Sequence, residues 1–349
     1  MSAMSTMRLR MGPGYRSFHG WNERAATRDP AAGLGGVLVC AVHDVALVVV
    51  GLAGLAYGGD LLVANASRLA GALGVSPMVI GLTVVAFGTS APELAASVVA
   101  ALRGSPELAL GNVIGSNIAN VGLILGASAL MWPLATRWSF VRKEVAFMIG
   151  ASIAAALLLL DGELSRLDAG LLLVGLVVFL FVSFRGGGMA APAAPLVAAE
   201  RTPSSRPALL ALAGAGLLAL AAHALVTGAV GLAEVWGVSE RVIGLTMVAI
   251  GTSLPELASS VAAAVRRQGD IVLGNIVGSN VFNLLSVLGI AGVIQPLQAD
   301  VSALRLDLLV MLAAAVLVAP MAVSGWRVGR REGAFLLVCY LAYLLLVLA

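Results

Sequence analysis

The chain has 349 residues, 60% of them hydrophobic and 11% charged, with a formal net charge of +3 and a mean hydropathy of +1.01. Soluble domains carry roughly 25% charge, so this composition defines a polytopic membrane protein whose apolar runs exceed what a soluble core needs. The small net charge, with arginines spread between apolar runs, gives no surface for nucleic acid. There is no phosphate-binding loop, nucleotide motif or catalytic triad to suggest an enzyme.

Residues 1–36 are polar, rich in Arg and Gly, and read as a disordered N-terminal tail. They do not read as a signal peptide, because the apolar run that follows is long enough to span. Ten spans are predicted, near 37–60, 76–102, 106–132, 144–160, 167–184, 208–235, 239–265, 271–295, 303–323 and 333–349. Several exceed the roughly 20 residues needed to cross, which predicts tilt or breaks. The Gly-, Pro- and Ala-rich stretch 185–207 reads as a flexible linker too short to hold a soluble regulatory domain. It separates a first five-helix repeat, 37–184, from a second, 208–349. Five is odd, so the second half enters from the opposite side. The fold class is therefore an all-α membrane protein of ten transmembrane helices in two inverted-topology repeats, a pattern common in secondary transporters.

With the linker in the cytoplasm, twelve Lys and Arg residues fall inside and four, Arg103, Arg166, Arg241 and Arg305, fall outside. That bias orients both termini extracytoplasmically, and the expected location is the cell's inner (plasma) membrane. The five arginines of the tail argue the other way. Cys40 and Cys339 each sit in an apolar run and read as buried, inert thiols, with no disulfide or metal site between them.

One forty-residue stretch occurs twice. Gly81–Asn120 and Gly244–Asn283 align without a gap at an offset of 163, with 24 of 40 positions identical. Each copy places a carboxylate, Glu93 or Glu256, inside an apolar span. Such a residue is costly in a membrane and is functional by default. Each acid follows a break, Gly88-Thr89-Ser90-Ala91-Pro92 or Gly251-Thr252-Ser253-Leu254-Pro255. Proline removes one helical hydrogen bond and clashes with the carbonyl four residues back. Freed carbonyls in a bilayer need a partner, and a cation is one. The plainer reading is a proline kink with a capping box. It explains neither the mid-span acids nor their recurrence.

The next helix of each copy carries a polar stripe, Asn112, Ser116 and Asn120, repeated as Asn275, Ser279 and Asn283. Ser116, Asn120, Ser279 and Asn283 are assigned to an ion site. Asn112, Asn117, Asn275 and Asn280 read first as amides that join helices, with the ion site as the alternative. Gly111 and Gly115 are spaced to admit a close backbone. The sum is an all-oxygen pocket suited to hard cations such as Ca2+, with no sulfur or imidazole for copper or zinc. Two ionised carboxylates are balanced by one Ca2+ or by two monovalent ions or protons. An empty ionised pocket opposes two like charges in low dielectric, which favours obligatory exchange over leak.

These motifs resemble the sodium/calcium exchanger family of the cation/Ca2+ antiporter superfamily, in its short prokaryotic form, from about residue 37 onward. The resemblance implies antiport of Na+ against Ca2+ by alternating access, with the first and sixth spans sliding over a fixed core. It implies Glu93 and Glu256 as central ligands, with backbone carbonyls from Thr89 and Thr252 for Ca2+. Na+ would take the Thr252 hydroxyl, the hydroxyls of Ser90, Ser253, Ser116 and Ser279, and the carbonyls of Ala86 and Ala249. Asn120 and Asn283 would face the centre. Some family members carry Asp where this chain has Asn283, which argues against K+ dependence here. The implied partners are Ca2+, Na+ and the lipid bilayer, with no covalently bound cofactor, nucleic acid or protein partner. A H+-coupled cation antiporter on the same fold is the alternative, and a channel or non-transporting membrane protein is the reading from another class. Asp60, in a YGGDLLV pattern the family shares, reads as a structural or gating residue late in the first span. His223 is its counterpart at the repeat offset.

Overall fold

The computed structural model describes residues 33–135, 138–186, 205–235, 249–323 and 327–348. Residues 1–32 of the tail, 187–204 of the linker and 244–248 of the second repeat lie outside the described residues. The first half contains α1 (Gly33–Leu73), α2 (Pro77–Thr89), α3 (Ala91–Leu102), α4 (Pro106–Met131), β1 (Leu134–Ala135), α5 (Trp138–Leu158), β2 (Glu163–Leu164) and α6 (Arg166–Gly186). The second contains α7 (Arg206–Val235), α8 (Ala249–Thr252), α9 (Leu254–Val265), α10 (Gly269–Ile294), β3 (Leu297–Gln298), α11 (Val301–Val323), β4 (Arg327–Val328) and α12 (Arg330–Leu348).

The first helix departs most from expectation. It runs 41 residues, past the predicted end at 60, and stops only at Gly74, where φ reaches +66°. Asn65 and Ser67 look like the end of a span. Both satisfy themselves inside the helix, donating to the carbonyls of Leu61 at 2.8 Å and Val63 at 2.9 Å. Asp60 therefore lies mid-helix rather than late in a span. Cys339 also corrects a prediction, since it is exposed on α12. Nothing is described for the Cys40 side chain.

Among the described residues six helices are long and apolar enough to cross a membrane: α1, α4, α6, α7, α10 and α11. The bent pair α2–α3, which turns by 45° at Ser90, makes a seventh. Ten are not reached among the described residues. Arg142, Lys143 and Glu144 charge the start of α5, and Arg330, Arg331 and Glu332 charge that of α12. The span predicted at 239–265 begins outside the described residues. Its described part contains the short apolar helix α9.

Burial ranks the helices. In the most apolar stretches of α10 and α4, 89% and 78% of residues are buried, against 22–33% for α1, α6, α7 and α11. The two stripe-bearing helices thus form the centre, and α1, α6, α7 and α11 lie at the periphery. The centre is close-packed where α2 crosses α10: a Cβ on Gly81 would stand 3.1 Å from the Gly274 Cα. Among the described residues nothing comes within 4 Å of a Cβ on Gly111 or Gly115. The segment that the repeat offset would set against them, 241–245, is not among those described.

α1 and α7 lie antiparallel along a seam of small residues. Gly51 meets Leu225, Gly54 meets Ala221, Gly58 meets Leu218, and Gly214 meets Leu62. A Cβ on Gly214 would lie 2.7 Å from the Leu62 backbone nitrogen, so this approach needs glycine. Two short antiparallel ladders join the halves: Leu134 pairs with Val328 and Ala135 with Arg327, while Glu163 pairs with Gln298 and Leu164 with Leu297. Beyond β3, Asp300 caps α11 through the Ser302 hydroxyl and the Ala303 amide. These bonds hold its carboxyl below the usual carboxylate range.

Candidate cation site

Each broken helix restarts with proline in its first turn and glutamate at the third position. The serine before it makes no side-chain cap bond in either copy. Instead it reaches across to the other repeat. Ser90 Oγ donates to Glu256 Oε1 at 3.0 Å, and Ser253 Oγ contacts Glu93 Oε1 at 3.3 Å. That reciprocal bonding disposes of a break that serves only as a cap. The next ring out is reciprocal too: Thr89 Oγ1 donates to Asn275 Oδ1 at 3.3 Å, and Thr252 Oγ1 to Asn112 Oδ1 at 3.2 Å.

The stripe asparagines anchor this ring. Asn112 Nδ2 donates to Ser97 Oγ at 2.9 Å and to the Glu93 carbonyl at 3.3 Å. Asn275 Nδ2 donates to Ser260 at 2.9 Å and to Ser259 at 3.2 Å. They join helices, as one of the two readings held, and in doing so they orient the threonines. Ser97 and Ser260 were not singled out from sequence. Their identity at the repeat offset, one helical turn beyond each glutamate, was the available signal.

Ten of the predicted residues are buried, Thr252 is half-buried, and hydrogen bonds join Ser90 to Glu256, Ser253 to Glu93 and Ser253 to Ser116. Glu93 is 0% exposed and Glu256 is 1% exposed. Ser116 lies 3.3 Å from Ser253 Oγ, extending the cluster along α4. Asn120 follows one turn later and donates to Asn280 Oδ1 at 3.0 Å. The Ala86 carbonyl accepts the Ser90 amide at 2.9 Å and the Thr89 hydroxyl at 3.3 Å. Ala249 opens α8, one turn before Ser253. Several buried polar atoms have no protein partner: Glu93 Oε2, Glu256 Oε2, Ser279 Oγ, Asn120 Oδ1 and both amide atoms of Asn283. Leaving such groups unsatisfied costs roughly 1–3 kcal/mol each, more for charges. All but the Asn283 amide nitrogen are oxygens.

One feature of the helices was invisible in the sequence. Asn120–Leu125 and Asn283–Val287 are π-helical turns, each starting at a central asparagine, and Gly81–Val85 is a third. Such bulges are frequent at functional sites. They arise from tertiary packing and use the same residue types as an α-helix, so periodicity does not reveal them. Among the described residues no three His, Cys, Asp or Glu side chains gather. The candidate donor set is two carboxylates among neutral oxygens.

Fold and site together define a multi-pass membrane protein with a buried, acidic, oxygen-lined centre shared by two related halves. The family model for "Sodium/calcium exchanger protein" matches residues 43–185 and 207–349, and the chain belongs to that family. Its members are ion exchangers rather than enzymes. The chain is 40% identical over 305 residues to the putative antiporter CaxA of Alkalimonas amylolytica, covering 85% of this chain and 96% of that one. It is 38% identical over 298 residues to the inner membrane protein YrbG of Escherichia coli strain K12, covering 82% and 90%. A solved structure of the sodium-calcium exchanger NCX_Mj, soaked with 10 mM Na+ and zero Ca2+, superposes with a TM-score of 0.77 at 31% identity, covering 87% of this chain and 98% of that chain.

Proposed function

We propose that this protein is a secondary antiporter exchanging Na+ for Ca2+ by alternating access, with Glu93 and Glu256 as the central ligands. The observation that carries this reading is the reciprocal bonding of each serine to the other repeat's glutamate, with one oxygen of each carboxylate left without a protein partner. Each glutamate keeps an oxygen for cargo while the serine fixes the other. Thr89, Thr252, Ser116, Ser279, Asn120, Asn283 and the carbonyls of Ala86 and Ala249 complete the oxygen set around Ca2+ or Na+. The two negative charges are matched by one Ca2+ or by two monovalent ions, so the two cargos displace one another.

The architecture that supports this mechanism is ten spans in two inverted halves, with 185–207 as a cytoplasmic linker and both termini outside, in the inner membrane. Two features favour it. The family match falls in two stretches on either side of the linker. The two ladders join β1 to β4 and β2 to β3. In the ten-span reading six spans separate the first pair and four the second. Both numbers are even, so each pair of strands meets on one face of the membrane. Alternating access then has α1 and α7 moving as one body across the core.

Radioactive Ca2+ uptake into proteoliposomes loaded with Na+ and diluted into Na+-free buffer tests the exchange. Uptake is expected to require the outward Na+ gradient and to fall to background in Glu93→Gln and Glu256→Gln. Uptake that ignores Na+ and follows a pH gradient instead would replace the reading with H+-coupled antiport.

A further inference from the structure

Asn120 and Asn283 are equivalent in the repeat, yet the structure treats them differently. Asn120 Nδ2 donates to Asn280 Oδ1 at 3.0 Å, and Asn280 Nδ2 in turn faces the Met148 sulfur at 3.4 Å. All three side chains are buried, and they bridge α4, α10 and α5. Asn283 has no such chain behind it, and neither of its amide atoms has a protein partner. The reason lies one turn earlier. Asn117, the repeat-mate of Asn280, donates to the Val113 carbonyl of its own helix at 2.7 Å instead. Met311, the repeat-mate of Met148, is buried on α11 but takes no part in a corresponding relay.

The direction of the relay follows from chemistry. A thioether sulfur accepts hydrogen bonds and cannot donate them. Met148 therefore takes the NH2 of Asn280, which turns the Asn280 oxygen toward Asn120. That oxygen takes the NH2 of Asn120. The Asn120 oxygen is what remains, buried and without a protein partner, one turn beyond Ser116. We propose that Met148 and Asn280 are positioning residues that hold the Asn120 amide with its oxygen, and not its NH2, toward the cation. Asn283, unrestrained, presents either end. The inference rests on the pocket being the cation site.

Without the sulfur acceptor, reversing the Asn280 amide carries no loss. The Asn120 NH2 then turns toward the carboxylates, and a cation must reverse it. A hydrogen bond to a charged group is worth roughly tenfold in an equilibrium. Apparent affinity falls by the competent fraction. Met148→Leu keeps the volume and removes the acceptor, whereas Met148→Gln keeps an acceptor oxygen at similar length. The relay expects Met148→Leu to raise the Ca2+ concentration for half-maximal uptake roughly tenfold, with maximal rate within about twofold of the parent. It expects Met148→Gln and the control Met311→Leu to stay within about twofold. In an Asn120→Ala background, Met148→Leu should have no further effect.

Simple packing predicts the reverse order, with Leu benign and Gln harmful, and that result would overturn the proposal. So would equal behaviour of the two variants, or an undiminished Met148→Leu effect in the Asn120→Ala background. Stabilisation of the purified full chain against heat by added Ca2+ gives the same ranking without transport. If the parent shows no gradient-driven uptake, the exchanger reading fails while this ranking still decides the relay. Absence of any Ca2+ stabilisation overturns the relay as well.

Discussion

Asn112 and Asn275 connect the two halves at the level of single hydrogen bonds. Each accepts from a threonine of the opposite repeat and donates to a serine on the helix that carries its own repeat's glutamate. Asn275→Ala takes from Ser260 the one partner its hydroxyl has and leaves Thr89 only the Ala86 carbonyl, and a buried polar group left unsatisfied costs roughly 1–3 kcal/mol. Asn117→Ala is the matched control, because its NH2 only returns to Val113 of the same helix. Asn275→Ala is therefore expected to lower the thermal unfolding midpoint of the purified protein clearly more than Asn117→Ala. Equal losses would reduce both residues to cavity effects. At this scale the sequence was legible wherever chemistry recurred. Glu93 and Glu256 stood out because acids are rare in spans and these two repeat. Met148 did not, since a methionine in an apolar run looks like core and its partner lies 132 residues away.

Two elements meet at an ion pair. Asp60 on α1 accepts from Arg266 Nε at 2.8 Å and Nη2 at 2.5 Å, just past the end of α9. The bond ties the α1–α7 body to the core at one face. Nearby, Gly59 brings α1 against the backbone of Ala258. The repeat-mates of this pair are His223 and Arg103, so the equivalent position lacks the carboxylate. The side chains of Arg266 and Asp60 are 36% and 55% exposed, and exposed pairs are worth about 0–1 kcal/mol. That is too little to govern folding, but up to about fivefold in a balance between two states. Asp60→Asn is expected to leave the thermal midpoint nearly unchanged and to alter the uptake rate by about twofold to fivefold. The charge swap Asp60→Arg with Arg266→Asp should restore most of it, as coupling between contacting residues requires. A rate unchanged in Asp60→Asn would remove any gating role. The sequence marked Asp60 correctly as a residue to watch but misplaced it. Asn65 and Ser67 resemble the polar end of a span, and only the backbone bonds they make show that α1 continues.

At the scale of the molecule the repeat makes a parity prediction. Between the linker and the β3 region the ten-span reading places three crossings: α7, the broken helix ending in α9, and α10. Three is odd, so the linker and the β3 loop must lie on opposite faces of the membrane. The two native cysteines are first replaced by serine. Single cysteines are then introduced as Ala194→Cys in the linker or Gln295→Cys, an exposed position after α10. A membrane-impermeant maleimide applied to intact cells, with lysed cells as the control for reactivity, should label Gln295→Cys and spare Ala194→Cys. Labelling only Ala194→Cys would keep the inverted halves and reverse the orientation, making the arginines of the tail better guides than those of the loops. Labelling both, or neither until lysis, would break the parity and with it the inverted repeat. That outcome would also remove the symmetry argument for alternating access, because two halves of the same orientation present their glutamates and breaks to the same side. The reciprocal serine–glutamate bonds give the twofold relation between the repeats, and the labelling decides whether its axis lies in the membrane plane or along the normal. A pair related by an axis in the membrane plane exchanges Ser90 with Ser253 and Glu93 with Glu256 when it is turned over. The same two bonds recur, so a site of this kind meets either face with equivalent ligands.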